Sequence, residues 1–384
     1  MTYLQVMDTP FVFGQQATGS DFTNRKRELQ HLRTNFTSGI NTILISPRRW
    51  GKSSLVSRAG EVIGKEKKIV VCMIDLYNVR DEAQFYQQLA HAVINGTIRK
   101  IEELLNAVKK HLPKLMPRIS LDTPAGEFEL GLQWKDIVRT PDEIIDLPER
   151  IAEDRGIRIV ICIDEFQNIG TYADPLGMQK KLRSHWQQHR HVSYCLYGSQ
   201  KHMLTEVFTS PSMPFYQFGD LIFLERISLE DWEEFICTRF ADTGKTISGE
   251  DARMIASVTD QHSYYVQQLA QQVWLRTKKA CSTEIVEVAF DSLIRQMSLL
   301  FVDKTNTLSG PQISFLEAVI NQENMLSSKE TIDKYDLGSS SNVIRIREAL
   351  IKKEVLDTNG ADLYFLDPLY RQWLIRYYFR KTAV

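Results

Sequence analysis

The sequence contains few cysteines, no long apolar segment and no excess of charge of either sign. Its five cysteines are far apart, with neither zinc-site nor disulfide-framework spacing: Cys72, Cys162, Cys195, Cys237 and Cys281. Three of them lie inside apolar, strand-like runs, so we expect small buried side chains in a reducing cytosol. No apolar run approaches membrane-spanning length, and the N-terminal residues lack the pattern of a secretory signal. We therefore expect a soluble, cytoplasmic protein that does not enter a membrane.

The charge balance and the length limit which partners and how many domains the protein can have. With 47 basic and 48 acidic residues, the chain as a whole has no charge that would attract nucleic acid or a membrane surface. Its 384 residues, 43% of them apolar, suffice for more than one hydrophobic core. We find no internal repeat and no low-complexity segment. These features together predict two to three globular domains.

The stretch SPRRWGKS, residues 46–53, predicts a phosphate-binding loop. An apolar strand is predicted over 42–45, and a helix is predicted to begin at Lys52. A turn between them directs successive backbone N–H groups, and the positive end of the new helix, into one concavity that suits a polyphosphate. In such a loop Lys52 would reach the β- and γ-phosphates, and the Ser53 hydroxyl would bind Mg²⁺.

This loop departs from the pattern GxxxxGK[ST] at its first position, where Ser46 replaces glycine, while Gly51 is kept. We predict that ATP or ADP binds to the residues around the concavity: Pro47, Arg48, Arg49, Trp50, Gly51, Lys52, Ser53 and Ser54. Lys52 is expected to face solvent in the empty loop. Arg48 and Arg49 are expected to hold the outer face of the loop or neighbouring acids rather than the γ-phosphate. The alternative is a surface turn that carries a lysine.

A second motif follows about 110 residues after the first. Residues 158–163 form a near-continuous apolar run, which is typical of a strand buried on both faces of a parallel sheet. The run ends in Asp164 and Glu165, at the strand end where ligands of open α/β sheets bind. We predict that Asp164 holds Mg²⁺ through water and that Glu165 polarises the attacking water, so that Glu165, Asp164 and Lys52 form the catalytic set. The alternative is that the two acids simply end a strand.

Five strand candidates alternate with helical stretches and predict a mostly parallel sheet between helices, the α/β fold of P-loop NTPases. The candidates are 42–45, 69–75, 158–163, 193–197 and 221–224. Between the second and third, residues 98–148 form an atypical segment. We interpret it as an insertion that contains a basic amphipathic helix over 101–115 and a hairpin of 118–121 with 127–132.

The remainder of the chain predicts helices and one hairpin. Four amphipathic helices, typical of a small helical lid, are predicted over 229–240, 249–258, 264–277 and 285–301. Three helices, over 311–321, 328–335 and 341–353, precede a hairpin turned at Asn359 and Gly360, the plan of a winged helix. The predicted domains are therefore a P-loop ATPase core over 1–227, a lid over 228–308 and a winged-helix domain over 309–384.

The whole chain resembles the archaeal-type ATPase family, in the STAND branch of the AAA+-related P-loop NTPases, whose members act as nucleotide-controlled switches. The resemblance is carried by segments spread from end to end: FVFGQQATGSDFTNRKRELQHL with Phe22, Arg25 and Glu28, ISPRRWGKSSL, ICIDEFQNI, YCLYGSQKHML, TDQHSYYVQQLA and YFLDPLYRQWLIRYYF. It implies a Mg²⁺-dependent ATPase whose lid and winged helix respond to ATP or ADP. It also implies an unknown protein partner. We expect low turnover, because the residues identified position phosphate and water but supply no obvious arginine finger.

The resemblance implies two further site residues. Ser199, with Gln200, matches the polar tip of the sensor strand, and His262 matches the histidine of the lid motif. His262 would contact phosphate or base, or else cap and pack its helix, because Asp260, Gln261 and Ser263 replace the glycines and proline of that motif.

No arginine follows Ser199 at the sensor tip. The charge stabiliser for hydrolysis would therefore be Arg183, Arg226 or a residue of another subunit. The last of these would require a nucleotide-dependent homo-oligomer.

An alternative function is a DNA-acting AAA+ ATPase, such as a replication initiator or transposition regulator, that binds DNA with its winged helix. Its support is the predicted recognition helix 341–353, which carries more basic than acidic residues: Arg345, Arg347, Lys352 and Lys353 against Glu348. Against it, residues 309–384 contain ten basic and ten acidic residues, so that electrostatic affinity for DNA would be modest. A nucleotide sensor that does not hydrolyse ATP is a third interpretation.

Overall fold

A computed structural model describes residues 9–65, 68–98, 103, 110–111, 118–120, 129–131, 141–359 and 362–380. The chain divides into two compact units. The first unit comprises residues 16–225, and the second comprises the described residues up to Gln15 together with those from Arg226 onward.

The first unit is built on a parallel sheet. Its strands are β1 (Thr42–Ile45), β2 (Ile69–Asp75), β5 (Arg158–Asp164), β6 (Val192–Gly198) and β7 (Asp220–Phe223). Their order across the sheet is β2-β5-β6-β1-β7, with every neighbouring pair parallel. All five predicted strands are thereby confirmed. Because the strands are parallel, their carboxyl ends lie at one edge of the sheet, where Asp75 is paired with Asp164, and Ile45 with both Gly198 and Phe223.

Helices cover both faces of this sheet, as the sequence predicted. They are α1 (Lys26–Ser38), α2 (Lys52–Ile63), α3 (Glu82–Thr97), α4 (Pro141–Ile145), α5 (Leu147–Arg155), α6 (Pro175–Trp186) and α7 (Lys201–Thr209). Alternation along β5 separates the two layers: Ile159, Ile161 and Ile163 pack with the helices from α3 to α7, whereas Val160 and Cys162 pack with α1 and α2. Each of these five side chains is fully buried, which explains why β5 has no charged residue between Arg158 and Asp164, its two ends.

The inserted segment is described only in part. The predicted helix over 101–115 lies outside the described residues, apart from 103 and 110–111. The predicted hairpin is confirmed, because β3 (Arg118–Ser120) pairs antiparallel with β4 (Glu129–Gly131).

The second unit is helical with one hairpin. Its elements are α8 (Leu229–Ala241), α9 (Gly249–Val258), α10 (Ser263–Arg276), α11 (Thr283–Gln296), α12 (Ser298–Asn306), α13 (Gly310–Ile320), α14 (Lys329–Tyr335), α15 (Ser340–Lys352), β8 (Leu356–Asn359), β9 (Asp362–Phe365) and α16 (Pro368–Trp373). The order from α13 to β9 is the element order of a winged helix. Several helices start at a serine whose hydroxyl accepts a backbone N–H of the first turn, as at Ser228, Ser248 and Ser328.

One predicted helix of this unit is wrong in length. The single helix expected over 285–301 is two helices, because α11 ends at Gln296 and α12 begins at Ser298. The intervening Met297 has ψ near zero (−3°), and the Ser298 hydroxyl donates to the Ile294 carbonyl (3.3 Å), a bond that bends helices.

The segments predicted as lid and winged helix share one continuous hydrophobic core, which runs from Ile227 to Leu374. Phe11 belongs to this core, 6.1 Å from the Phe235 ring and 5.8 Å from the Phe240 ring. The described N-terminal residues therefore pack with the second unit, whereas the sequence analysis assigned them to the core domain. A short segment without helical or strand periodicity carries no signal of its packing partner. The boundaries of lid and winged helix stay predictions.

Two further expectations concern membranes and thiols. In the part of the chain that the structure describes, no helix has the length and apolar character needed to cross a membrane. Cys72, Cys162 and Cys195 are buried, as predicted, and burial raises the pKa of Cys72 to about 12. These thiols therefore serve as packing groups.

A cluster of histidines and carboxylates joins α5 to α6 in the first unit. Asp146, just before α5, accepts hydrogen bonds at Oδ1 from His185 Nδ1 (2.7 Å) and His189 Nε2 (3.2 Å). His189 Nδ1 lies 2.7 Å from the Tyr194 hydroxyl. Burial acts to raise the pKa of Asp146, but the hydrogen bonds and charges of the two histidines outweigh it and lower that pKa. The cluster therefore stabilises the fold through an ionised Asp146.

We predict that Asp146→Asn lowers the free energy of unfolding by about 1–3 kcal/mol at neutral pH, because hydrogen bonds to a charged acceptor are lost. The difference from wild type should be complete above the ordinary aspartate pKa of 3.8 and should fade as the pH falls through the lowered pKa of Asp146. Urea unfolding across pH measures this difference. The matched control is Glu61→Gln, since the exposed Glu61 pairs with Arg58 (2.9 Å) on α2 and should matter little. Equal effects of the two substitutions would contradict the prediction.

Candidate functional site

The predicted phosphate-binding loop connects β1 to α2, as expected. Arg49 (φ 62°) and Gly51 (φ 87°) both have left-handed backbone conformations, and the Leu55 N–H donates to the Gly51 carbonyl (2.9 Å) to close the first turn of α2. A Cβ at Gly51 would meet nothing within 4 Å, so the backbone conformation, not space, requires glycine here. Pro47 is buried, and the side chains of Arg48 and Arg49 are exposed. The loop therefore presents the amino end of a helix at the carboxyl edge of the sheet.

Four predicted site residues meet at this edge, although they are far apart in sequence. The Ser53 hydroxyl donates to Asp164 Oδ2 (2.6 Å), and Lys52 Nζ lies 4.0 Å from Glu165 Oε1. Parallel pairing of the strands produces this meeting, because the loop and α2 follow the carboxyl end of β1 and the two acids stand at the carboxyl end of β5.

Lys52 is buried, with 6% of its surface exposed, and the expectation that it faces solvent is wrong. Burial lowers the pKa of its ammonium, whereas the Glu165 and Asp164 carboxylates raise it. Two acids at the end of β5 thus compensate a charge that would otherwise be costly to bury. A sequence pattern contains no information about this compensation.

Asp164 is also held by its surroundings. Its Oδ1 accepts the backbone N–H of Glu165 (2.8 Å). Burial raises the pKa of this carboxyl, against the Ser53 hydrogen bond and the Lys52 charge, which lower it. A hydroxyl and a carboxylate in contact are the hard oxygen donors that Mg²⁺ prefers, so the pair fits this ion.

Glu165 brings the predicted sensor residue into the site. Its backbone is left-handed (φ 51°), and its Oε2 accepts from the Ser199 N–H (3.2 Å) and the Ser199 hydroxyl (3.0 Å). Oε2 also accepts from Gln167 Nε2, a residue that the predicted site did not include. The available signal was its position two residues after Glu165, where a short helical turn lets the side chain fold back.

The predicted site also omitted Arg25, which hydrogen-bonds to the backbone of the loop. This buried guanidinium donates to the Trp50 carbonyl (3.2 Å), to Glu28 (2.8 Å) and to the Glu225 carbonyl. Residues 17–25, which precede α1 and which we call the entry segment, make a second bond to the site. The Ala17 N–H donates to the Ser54 hydroxyl (3.0 Å). Residues 17–25 therefore fix the loop and the first turn of α2 without belonging to either.

Arg183 is not a charge stabiliser for this site within the same chain. Its guanidinium stacks 4.8 Å from the Phe218 ring, and Phe218 precedes the start of β7. It therefore lies at the amino edge of the sheet, roughly 15–20 Å from the carboxyl edge at the rise of a β-strand.

Arg226 and His262 belong to the second unit. Arg226 pairs with Asp260 and lies 5.8 Å from the Tyr364 ring. His262 is the residue before α10, is mostly buried (7% exposed) and packs 4.8 Å from the Tyr265 ring. This packing matches the alternative of a helix-start histidine, and nucleotide contact by His262 stays a prediction.

Comparison with known proteins places this geometry on a known fold. No family model and no curated protein matches the chain. Among solved structures, the chain is similar to the Walker-type ATPase PABY2304 of Pyrococcus abyssi, with 15% identity over 95% of this chain and 99% of that chain and a TM-score of 0.66. It is also similar to the ORC2 protein of Aeropyrum pernix, with 13% identity over 90% of this chain and 91% of that chain and a TM-score of 0.54. Over nearly its whole length, the chain has the fold of these two proteins.

Proposed function

We propose that the protein is a Mg²⁺-dependent ATPase of low turnover that works as a nucleotide-controlled switch. The observation that carries the proposal is the meeting of Lys52 and Ser53, at the start of α2, with Asp164 and Glu165, at the end of β5. This set supplies a cation for phosphate, a metal-binding oxygen pair and a base for water.

Nucleotide would bind in the loop over 46–54. Backbone N–H groups and the start of α2 would face the phosphates, and Lys52 would exchange its carboxylate partners for phosphate oxygens. The Aeropyrum pernix ORC2 protein, which has a similar fold, was solved in complexes with ADPNP and ADP, and this supports an adenine nucleotide here.

Mg²⁺ would be held by the Ser53 hydroxyl and, through water, by Asp164, and it would neutralise charge on the phosphates. Within the described residues, no group of three or more His, Cys, Asp or Glu side chains could hold a metal ion. That finding suits Mg²⁺, which usually takes one or two carboxylates together with waters and substrate phosphates.

Hydrolysis would depend on Glu165 as the group that orients and deprotonates water, with Ser199 fixing its carboxylate. Low turnover follows from the position of Arg183 at the opposite edge of the sheet. The charge stabiliser would then be Arg226 or a residue of another subunit. In the second case, activity would depend on a homo-oligomer.

The switch proposal is supported by the single core of the second unit. Because lid and C-terminal helices share one core, they would respond to nucleotide as one body. A ligand moves such an equilibrium only by its difference in affinity for two arrangements, and the γ-phosphate is the difference between ATP and ADP. The output would reach an unknown protein partner.

We predict that Lys52→Met weakens Mg·ATP affinity at least about tenfold, because the variant keeps the length of the side chain but loses the charge that meets the phosphates. Calorimetric titration measures the affinity, and circular dichroism checks the fold. The control is Lys180→Met, on the exposed face of α6. Unchanged ATP affinity in the folded Lys52 variant would rule out the loop as the nucleotide site.

We expect Glu165→Gln to bind Mg·ATP like the wild type and to hydrolyse it roughly 100-fold more slowly, since an amide cannot accept the proton of water. Steady-state phosphate release measures kcat. Glu61→Gln, which alters an exposed carboxylate of α2 paired with Arg58, should leave the rate unchanged. Wild-type turnover in Glu165→Gln would reduce Glu165 to a strand-end residue.

A DNA-acting ATPase is the second candidate, favoured by the exposed side chains of Arg345 and Lys352 on α15. The support is weaker than the sequence indicated. Lys353 is used within the unit, because its ammonium donates to the Thr307 carbonyl (2.7 Å) and to Gln312 (3.1 Å), and Arg347 is half-buried.

One pair of experiments separates the two candidates. For a switch, hydrogen exchange over 340–352 should differ between ADP and a non-hydrolysable ATP analogue, and duplex DNA binding should be undetectable at moderate salt. For a DNA-acting protein, binding should be tight and salt-sensitive, and Arg345→Ala with Lys352→Ala should reduce the salt slope by about one charge each. The second result would overturn the switch proposal.

A further inference from the structure

The carboxylate of Glu165 accepts more hydrogen bonds than a general base for water requires. Oε2 accepts from the Ser199 N–H, the Ser199 hydroxyl and Gln167 Nε2. The other oxygen, Oε1, lies 4.0 Å from the Lys52 ammonium. A carboxylate oxygen offers about two lone-pair positions, so three donors fill Oε2. In this arrangement Oε2 has no position left for a proton from water.

The fold positions Gln167 for this contact. The side chain is 4% exposed and crosses the end of β6 at Gly198, where a Cβ would lie 1.9 Å from Gln167 Oε1. Any residue other than glycine at 198 would therefore displace the amide from Glu165.

The turn that carries Gln167 is fixed on both sides. Phe166 is fully buried among aromatic rings, with the Phe215 ring at 5.3 Å and the Phe208 ring at 5.7 Å. On the other side, Asn168 donates from its backbone to the Glu165 carbonyl (2.9 Å) and from its amide to the Leu76 carbonyl (3.0 Å). The amide of Gln167 thus has little freedom to leave Oε2 by itself.

We infer that Gln167 is a positioning residue that restrains Glu165 and thereby limits the rate of hydrolysis. The inference rests on the proposed ATPase function. Each hydrogen bond to Oε2 occupies a lone-pair position and holds the carboxylate in one orientation, so that Glu165 is restrained from turning towards water. Ser199 supplies two of the three bonds but lies at the predicted sensor position, whereas the Gln167 amide packs on Gly198 and donates its hydrogen bond to the carboxylate. Gln167 therefore sets the restraint separately from the sensor.

The test compares two buried glutamines of the same unit. Gln167→Leu removes the donor to Glu165, and Gln179→Leu removes an equally buried amide (4% exposed) from α6. We expect kcat to rise roughly three- to tenfold in Gln167→Leu, the effect of about one hydrogen bond, with KM for Mg·ATP unchanged. Gln179→Leu should leave both constants unchanged.

Two further variants complete the test. Gln167→Asn, whose amide is too short to reach Oε2, should show the same rise and serves if Gln167→Leu fails to fold. The rise should vanish when Gln167→Leu is combined with Glu165→Gln, because the restraint acts only through Glu165. An unchanged or lowered kcat in the folded Gln167 variants would overturn the inference.

Failure of the inference and failure of the proposed function remain distinguishable. If the wild type does not bind or hydrolyse Mg·ATP, or if Glu165→Gln turns over at the wild-type rate, the proposed function fails. If both of those results are as expected and the Gln167 variants do not accelerate hydrolysis, the restraint alone is wrong.

Discussion

The first unit depends on one electrostatic constraint at the carboxyl edge of its sheet. Lys52 is buried there, and its charge is compensated by Glu165 and Asp164 rather than by water. Removing one member of such a set leaves a buried charge without a partner, which is strongly destabilising. In the proposed function, a polyphosphate and a divalent cation would replace each partner with a stronger one. Stability of the loop and affinity for nucleotide would then depend on the same few side chains.

The surrounding fold serves to hold these groups in register. Parallel pairing brings the carboxyl ends of β1 and β5 to the same edge of the sheet. Gly51 allows the loop to turn, and Gly198 leaves room for the Gln167 amide to cross the end of β6. Arg25 and Ala17 fix the loop from the entry segment.

The sequence predicted the frame well and the contacts less well. The strands were predictable because both faces of β5 are buried and its apolar run is uninterrupted, and the loop because glycine, lysine and serine have fixed roles at that spacing. Burial of Lys52, the location of Arg183 and the packing of Phe11 in the second unit depend on residues distant in sequence, which no local pattern records. The turn of Gln167 towards Glu165 and the break at Met297 involve near neighbours in the chain, but an apolar periodicity does not specify such side-chain hydrogen bonds.

We propose that Lys52, Ser53, Asp164 and Glu165 together form a site for Mg²⁺ and ATP at the carboxyl edge of the sheet. The decisive experiment is a crystal structure with Mg²⁺ and a non-hydrolysable ATP analogue. We expect phosphates inside the loop over 46–53, Lys52 Nζ within hydrogen-bond distance of them instead of 4.0 Å from Glu165, and the Ser53 hydroxyl on the metal instead of 2.6 Å from Asp164. An analogue bound elsewhere, or bound while both of these contacts persist, would show that these residues are not the nucleotide site.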